Sequence, residues 1–600
     1  MNMEAGLSNK PLDSFANPGI LQNRKSQHPT IHICTITTEY LFCRQLASSG
    51  ITTGEPGELH NHSRSPGLED LSHGPDFLAF YSIFYSKGAN AMSTTIKPQT
   101  FLIRYLNGLN GATPNSAAAA FYASLDQVAT VSPTIAGSII QELHDQRSNL
   151  KLIASENYSS LATQLATGNL LTDKYAEGYP HHRFYAGCDN VDAIEAEAAQ
   201  LACELFEADH AYVQPHSGAD ANLVAFLSIL LAKVEKPQLV ELGQEDPAKL
   251  SRQDWEKVRQ AVHNQRLLSL DYYSGGHLTH GYRHNISSQL FDVYTYTVDP
   301  KTNLIDLDQL RTQLHEIRPL ILLAGYSAYP RKLNFAKMRE LADEVGAVLM
   351  VDMAHFAGLV AGKVFTGDYN PVPHAHIVTS TTHKTLRGPR GGIVLCKQEL
   401  AEWVNKGCPS LLGGPLSHIM AAKAIAFREA LAPEFKTYAH KIVENSQALA
   451  AACVAESLNV LTGGTDNHLL LIDVAKTFGL TGRQAESALR ECKITLNRNS
   501  LPFDANGPWY TSGLRIGTPA ATTLGMGPEE MKEIGSIIKL VLSHVTPTIT
   551  ASGKKSLTKY TLDTRVSQEA QQRISTLLDR YPLYPEIDLQ LLQMPVESNL

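Results

Sequence analysis

Residues suited to covalent and acid–base chemistry appear in three groups: Ser327, then Asp352 and His355, then Thr381, His383 and Lys384. Each group follows a short apolar run, at residues 321–324, 347–351 and 376–378. Those runs alternate with helical periods such as 336–345, the pattern of a largely parallel α/β sheet. In open α/β sheets, ligands bind beyond the carboxyl ends of the strands. One crevice would therefore collect an acid, an imidazole, hydroxyls and an amine. That set suits pyridoxal phosphate. Its aldehyde needs an amine, the role open to Lys384, and its pyridine nitrogen needs a carboxylate, the role open to Asp352. Burial and nearby positive charge lower a lysine's pKa and favour the nucleophilic form. The phosphate needs backbone N–H groups at a tight turn or helix start. The sequence HSGADAN at 216–222 places a Ser-Gly turn before a long apolar helical run. Taken singly these signals are weak. A lone lysine is usually a solvated surface group, an aspartate after a strand often a helix cap, and a lone histidine often a hydrogen-bonded core residue. The ordered combination carries the reading.

The chain has 600 residues, 43% of them hydrophobic, enough for several domains. A formal net charge of −8 gives no electrostatic case for nucleic-acid binding. The longest apolar run, 223–234, is too short for a bilayer, and the start lacks the design of a secretory or transit signal. The eight cysteines contain no CxxC pair, which argues against a disulfide framework or a zinc site; no metal is expected, and a cytoplasmic location fits. Residues 1–91 are rich in Ser, Gly, Pro, Asn and His without sustained periodicity. They read as a disordered extension or as sequence ahead of a true start at Met92. A helical arm is expected at 92–150, then a large cofactor-binding domain at 151–410 with a polar, helix-forming surface insertion at 236–270. A smaller α+β domain at 411–545 and a linker with a helical tail at 546–600 complete the expected order. Helices are expected at 419–432, 439–456 and 569–581, and a strand at 469–473.

Seven segments together resemble the serine hydroxymethyltransferase family. They are KYAEGYP at 174–180, QPHSGADAN at 214–222, SGGHLTHG at 274–281, VDMAHFAGLVAG at 351–362, THKTLRGPRGG at 382–392, GGTDNH at 463–468 and TSGLRIGTPA at 511–520. The resemblance runs in family order from about 135 to 545. The insertion before SGGHLTHG and the ending RYPLYPEID at 580–588 are most similar to the chlamydial branch.

The resemblance implies a fold-type I architecture, with a mostly parallel seven-stranded sheet flanked by helices and a smaller α+β C-terminal domain. It implies reversible transfer of the hydroxymethyl group of serine to tetrahydrofolate, giving glycine and 5,10-methylenetetrahydrofolate, in a homodimer with shared active sites. Lys384 would bind the cofactor covalently, Asp352 would pair with its ring nitrogen and His277 would stack on its face. His355 and Thr381 would sit near the ring hydroxyl, Ser327 would belong to the cofactor set, and His383 would help decide which substrates are processed. Ser217, Gly218 and the amide of Ala219 would cradle the phosphate, joined by Gly413 and Gly414 from the second subunit. Tyr175, Glu177 and Tyr185 would also cross the interface, Tyr175 toward the cofactor, Tyr185 as a catalytic residue and Glu177 as the acid/base. Arg515 and Ser155 would take the amino-acid carboxylate. Tyr272, Gly276, His277, Leu278, Asn499, Gly507, Pro508 and Trp509 match folate-contacting positions.

The sequence departs from the family pattern in four places. Phe184 stands where a tyrosine is frequent, Ala219 where a serine is frequent, and Tyr272 where a leucine is frequent. Ser410, Leu411 and Leu412 replace a Gly-Gly-Gln. Two rival readings are a folate-independent aldolase for β-hydroxy amino acids and a cofactor-binding relative without catalysis. The folate positions speak against the first, and intact Lys384, Arg515 and Glu177 against the second.

Overall fold

The computed structural model describes residues 100–593; the reading of residues 1–91 falls outside them. The described chain begins with three helices, α1 (Phe101–Gly108), α2 (Ser116–Val131) and α3 (Pro133–Ser148). Thr100, Asn115 and Ser132 cap them by accepting hydrogen bonds from first-turn amides, and Pro133 occupies the first turn of α3. Their apolar faces, including Phe101, Tyr122, Leu125 and Ile140, pack against Leu583, Ile587 and Leu592 near the far end of the chain. Arg147 tightens that junction by donating to the carbonyls of Leu583 (2.7 Å), Tyr584 and Ile587 (2.8 Å). Tyr122 exchanges hydrogen bonds with the Asp588 backbone.

The central sheet has seven strands: β1 (His210–Tyr212), β2 (Arg266–Leu270), β3 (Asp292–Tyr296), β4 (Ile321–Gly325), β5 (Val348–Asp352), β6 (Ile377–Thr381) and β7 (Gly392–Cys396). Their order is β1-β7-β6-β5-β4-β2-β3, and only β7 runs against the others. This is the expected mostly parallel sheet. Every residue of β4, β5, β6 and β7 is buried, because both faces are covered. Leu322, Leu349 and Val378 point into one hydrophobic cluster and Ile321, Val348 and Ile377 into another, the alternation of a two-sided sheet. Helix α4 (Gly218–Leu230) covers the second face through Val224, Phe226 and Ile229.

Two expected boundaries change. Strand β6 continues past Val378 through Thr379, Ser380 and Thr381. Its buried hydroxyls stay in the strand because they are satisfied: Thr379 donates to Asn222 Oδ1 and Thr381 to the Ala354 carbonyl. Thr381 and Asp352 are thus the last residues of their strands. The expected insertion at 236–270 is also shorter. A π-helical turn (Leu231–Glu235) leads into α5 (Lys236–Glu241) and then α6 (Arg252–His263), but residues 266–270 are β2, an inner strand with Leu267, Leu268 and Leu270 buried. The polarity of α6 masked it, and Ser269 interrupts its apolar run while donating to the His280 carbonyl.

Helix α7 (Phe335–Val345) lies between β4 and β5, as the periodicity required. Further on, α8 (Ser417–Leu431) and α9 (Pro433–Ala455) break at Ala432, the residue before a proline. Met420 and Phe427 of α8 and Ile442 of α9 belong to the sheet core, whereas Leu449 and Cys453 of α9 belong to a separate C-terminal cluster. That cluster is built on β8 (Leu469–Asp473), β9 (Asn497–Asn499) and β10 (Gly513–Gly517), with β10 in the middle, and on α10 (Pro528–Ser543). The stretch after 546, expected to open as a linker, holds a hairpin of β11 (Val545–Ile549) and β12 (Lys555–Leu562). Gln484 pins β12 by donating to the carbonyls of Ser556 and Lys559. Helix α11 (Thr564–Arg580) then buries Ala570, Ile574 and Leu577 in the same cluster.

Candidate active site

Asp352 ends β5 with a carboxylate that is almost fully enclosed. Burial alone would raise its pKa, yet hydrogen bonds and charge from His280, with His277 and Asn222 adding to them, hold it well below the usual carboxylate range. His280 Nε2 lies 3.0 Å from Oδ2, and Asn222 Nδ2 donates to the same oxygen at 2.9 Å. Asn222 is itself oriented by Thr279 and Thr379. His280 and Asn222 carry no local signal of this role, although both lie inside the family-like segments at 274–281 and 214–222. Their partner is distant along the chain, and only the fold brings them to it.

Lys384 follows β6 and is buried. Desolvation lowers its pKa from the ordinary 10.5 to about 8; Asp352 opposes the shift, and Arg515 and Arg390 add to it. Between those two pH values the unfolded chain binds a proton that the folded chain does not, so the cofactor-free protein should gain stability as pH rises from about 8 toward 10.5. The reactive neutral amine follows the same titration. Capture of an aldehyde, followed by stopped-flow absorbance, is expected to accelerate as pH rises through about 8 and then level off. A flat rate across that range would sink the assignment of Lys384 as the capturing amine.

Four histidines surround this amine. Burial is the first cause lowering the pKa of each: His277 to about 4, His383 and His468 to about 3, and His355 well below the ordinary value. They are neutral at pH 7 and add no positive charge beside Lys384 and Arg515. His355 Nδ1 and His468 Nε2 are 3.1 Å apart with their rings stacked. His468 is a further site residue to which the sequence reading gave no role. Arg515 lies on β10, where Nη1 donates to the Ser327 carbonyl at 2.7 Å and Nε to Asn497 Oδ1 at 3.2 Å. Desolvation lowers its pKa to about 10, so it keeps its charge at neutral pH.

A single cavity of about 840 Å³ gathers most of the expected residues. Ser155, Ser217, Gly218, Ala219, Tyr272, Gly276, His277, Leu278, Ser327, Asp352, His355, Thr381, His383, Lys384, Asn499, Pro508 and Arg515 all line it. Gly507 and Trp509 flank Pro508 in a short helix (Gly507–Tyr510) but do not line the cavity, and Trp509 is exposed.

These residues fit pyridoxal phosphate. Ser217 caps α4 through the Asp220 amide, and the Gly218 and Ala219 amides, as first-turn groups, have no intrahelical acceptor. A Cβ at Gly218 would stand 2.6 Å from Thr381 Cγ2, so the turn is pressed onto the end of β6. His383 Nδ1 and His216 Nε2 are buried without a hydrogen-bond partner among the described residues. An ionised carboxylate, an amine of lowered pKa and a helix-start turn with uncommitted amides therefore face one space.

Five further expected residues are not in it. Tyr175, Glu177, Tyr185, Gly413 and Gly414 gather in a second, partly exposed cluster. The Tyr175 and Tyr185 rings meet edge-on at 4.9 Å, and the Tyr175 hydroxyl lies 3.4 Å from Glu177 Oε1. A Cβ at Gly414 would stand 3.1 Å from Tyr175 Cζ, and one at Gly413 would stand 3.7 Å from Glu177 Oε1. Cys408 joins the two segments by accepting from the Gly178 amide and donating to the Gly413 carbonyl. Phe184, where the family often has tyrosine, is largely exposed beside this cluster.

Comparison with known proteins agrees with this geometry. The family model described as serine hydroxymethyltransferase matches residues 128–251 and 251–538. A serine hydroxymethyltransferase from Treponema pallidum is 62% identical over 474 residues, covering 79% of this chain and 82% of that protein. One from Salinispora tropica is 56% identical, covering 79% of this chain and 99% of that protein. One from Chlamydia trachomatis is 52% identical over a longer stretch of 495 residues, 82% of this chain and 99% of that protein.

Proposed function

This chain belongs to the serine hydroxymethyltransferase family, and from that premise we propose which of its residues carry the reaction and that two copies share each site. The protein transfers the hydroxymethyl group of serine reversibly to tetrahydrofolate, giving glycine and 5,10-methylenetetrahydrofolate, with pyridoxal phosphate as cofactor. The observation that carries the residue assignments is the single cavity joining an ionised Asp352, the buried amine of Lys384 and the guanidinium of Arg515.

Lys384 holds the cofactor's aldehyde. When bound, the cofactor supplies an electron sink conjugated to the α-carbon of the amino acid. Asp352, kept anionic by His280 and Asn222, holds a proton on the pyridine nitrogen. Arg515 and Ser155 grip the substrate carboxylate, and the Ser327 carbonyl and Asn497 fix the guanidinium plane before substrate arrives. Neutral His277 would cover the ring face, and neutral His355, hydrogen-bonded to His468, would lie near the ring hydroxyl with Thr381 when the cofactor is bound. The Ser217–Gly218–Ala219 turn, whose first-turn amides have no intrahelical acceptor, would hold the phosphate. Tyr272, Gly276, Leu278, Asn499 and Pro508 line the part of the cavity assigned to folate. These folate positions disfavour the reading as a folate-independent aldolase.

Glu177 would move a proton at the hydroxymethyl oxygen. It lies with Tyr175, Tyr185, Gly413 and Gly414 outside the cavity of its own chain, which supports a homodimer in which this cluster completes the partner's site. We also place the division between the large cofactor-binding part and the small C-terminal part within α9, because the two halves of that helix pack in different cores. No helix among the described residues is long and apolar enough to cross a membrane; a cytoplasmic location is part of the proposal.

Serine cleavage measured with and without tetrahydrofolate tests the reaction, and a rate indifferent to folate would overturn it. Glu177→Gln is expected to keep glycine binding while folate-dependent transfer falls by about 10²- to 10⁴-fold. Mixing Glu177→Gln with Lys384→Ala chains, each inactive alone, should restore about a quarter of the parent's sites, since half the dimers then carry one intact site. A mixture that stays inactive after verified subunit exchange would refute the shared site.

A further inference from the structure

Lys423 sits at the centre of α8 and is fully buried, with 1% of its surface exposed. Its Nζ donates to three backbone carbonyls: Val213 at 2.6 Å, Pro215 at 2.9 Å and Gly392 at 2.9 Å. An ammonium has three N–H donors and no acceptor, so this group is completely satisfied. Burial lowers the pKa of this amine to about 7, against the pull of Glu195 and Asp220, so it is the three carbonyl acceptors that hold the protonated form in place, and a buried amine so placed calls for a role.

The three acceptors belong to the two walls of the cofactor site. Val213 and Pro215 lie on the stretch that leads from β1 directly into the Ser217–Gly218–Ala219 turn. Gly392 starts β7, the strand that returns after the Lys384 loop, and its amide donates to the same Pro215 carbonyl at 2.9 Å. The neighbouring Gly391 carbonyl accepts from Thr382, which immediately precedes the His383–Lys384 pair. The walls are pressed together: a Cβ at Gly391 would stand 2.6 Å from Lys423 Cε, and one at Gly392 would stand 2.2 Å from the Ser217 carbonyl. The acidic neighbours of the ammonium are Glu195 and Asp220.

We propose that Lys423 is a positioning residue for the cofactor's phosphate: by drawing the Val213, Pro215 and Gly392 carbonyls to one point, it fixes the turn so that the Gly218 and Ala219 amides face the cavity. The inference rests on the assignment of that turn to the phosphate. Lys423 lines no part of the cavity and so touches neither cofactor nor substrate.

The test compares equilibrium binding of pyridoxal phosphate and of pyridoxal, which lacks the phosphate, to cofactor-free dimers of the parent, Lys423→Met and Lys423→Gln, with the melting temperature of each cofactor-free form. Lys423→Met should weaken pyridoxal phosphate binding by about 10- to 100-fold, the scale on which outer-shell partners of a ligand site act, and leave pyridoxal binding within about twofold. Lys423→Gln, which keeps two N–H donors without the charge, should fall between parent and Lys423→Met. Equal losses for the two ligands, or an unchanged affinity for pyridoxal phosphate, would overturn the proposal. If neither variant yields a folded dimer, Lys423 is a folding residue and the proposal falls. A parent with no preference for the phosphorylated ligand would overturn the assignment of the turn itself, whatever Lys423 does.

Discussion

Lys384→Ala is expected to lower serine turnover by on the order of 10⁴ or more, the scale on which loss of a covalent nucleophile acts, while leaving a folded dimer. The side chain borders an open cavity and makes no ion pair among the described residues, so its removal deletes one reacting amine and little packing. The variant should still take up pyridoxal phosphate non-covalently, because Asp352 with its His280 and Asn222 partners, and the Ser217–Gly218–Ala219 turn, remain intact. Absorbance would then report free rather than lysine-bound aldehyde. Turnover at the parent rate would remove Lys384 from the mechanism.

The second large effect belongs to Arg515. Two of its nitrogens donate to Ser327 and Asn497, and Nη2 has no protein acceptor among the described residues, so the fork is set before substrate enters. Arg515→Ala removes a desolvated charge-assisted contact worth about 2–5 kcal/mol, which corresponds to about 30- to several thousand-fold weaker serine and glycine binding. The loss should appear in titrations with glycine, where no hydroxymethyl chemistry occurs. Arg515→Lys should recover only part of it, because an ammonium cannot reproduce the planar fork. An unchanged glycine affinity in Arg515→Ala would assign the carboxylate elsewhere.

The legibility of this site has a physical cause. Strands β4 and β5 are buried on both faces, so they appear in the sequence as unbroken apolar runs, and the reactive residues at their ends stand out against them. The same rule hid β2, where Ser269 interrupts the run, and shortened β6, where three hydroxyl residues are buried by hydrogen bonding rather than by apolarity. His280 has no local signature, because its meaning lies in its contact with Asp352, 72 positions away. The second cluster was legible only as a family resemblance. Tyr175, Glu177, Tyr185, Gly413 and Gly414 lie outside the cavity of their own chain, so neither periodicity nor spacing ties them to it.

The clasp between α1–α3 and residues 583–592 has a consequence for biosynthesis. Tyr122 and the Asp588 backbone it bonds are separated by 466 positions. At about 5–20 residues per second, roughly 20 to 90 s pass between the two leaving the ribosome. Through that interval Tyr122, Leu125 and Ile140 have been made but their partners Leu583, Ile587 and Leu592 have not. The apolar faces of three nascent helices thus wait, open to chaperones or to a neighbouring polysome, until the last stretch of message is read. A premature stop codon between residues 516 and 583 would make that waiting state permanent, although every cavity-lining residue, from Ser155 to Arg515, would already have been translated.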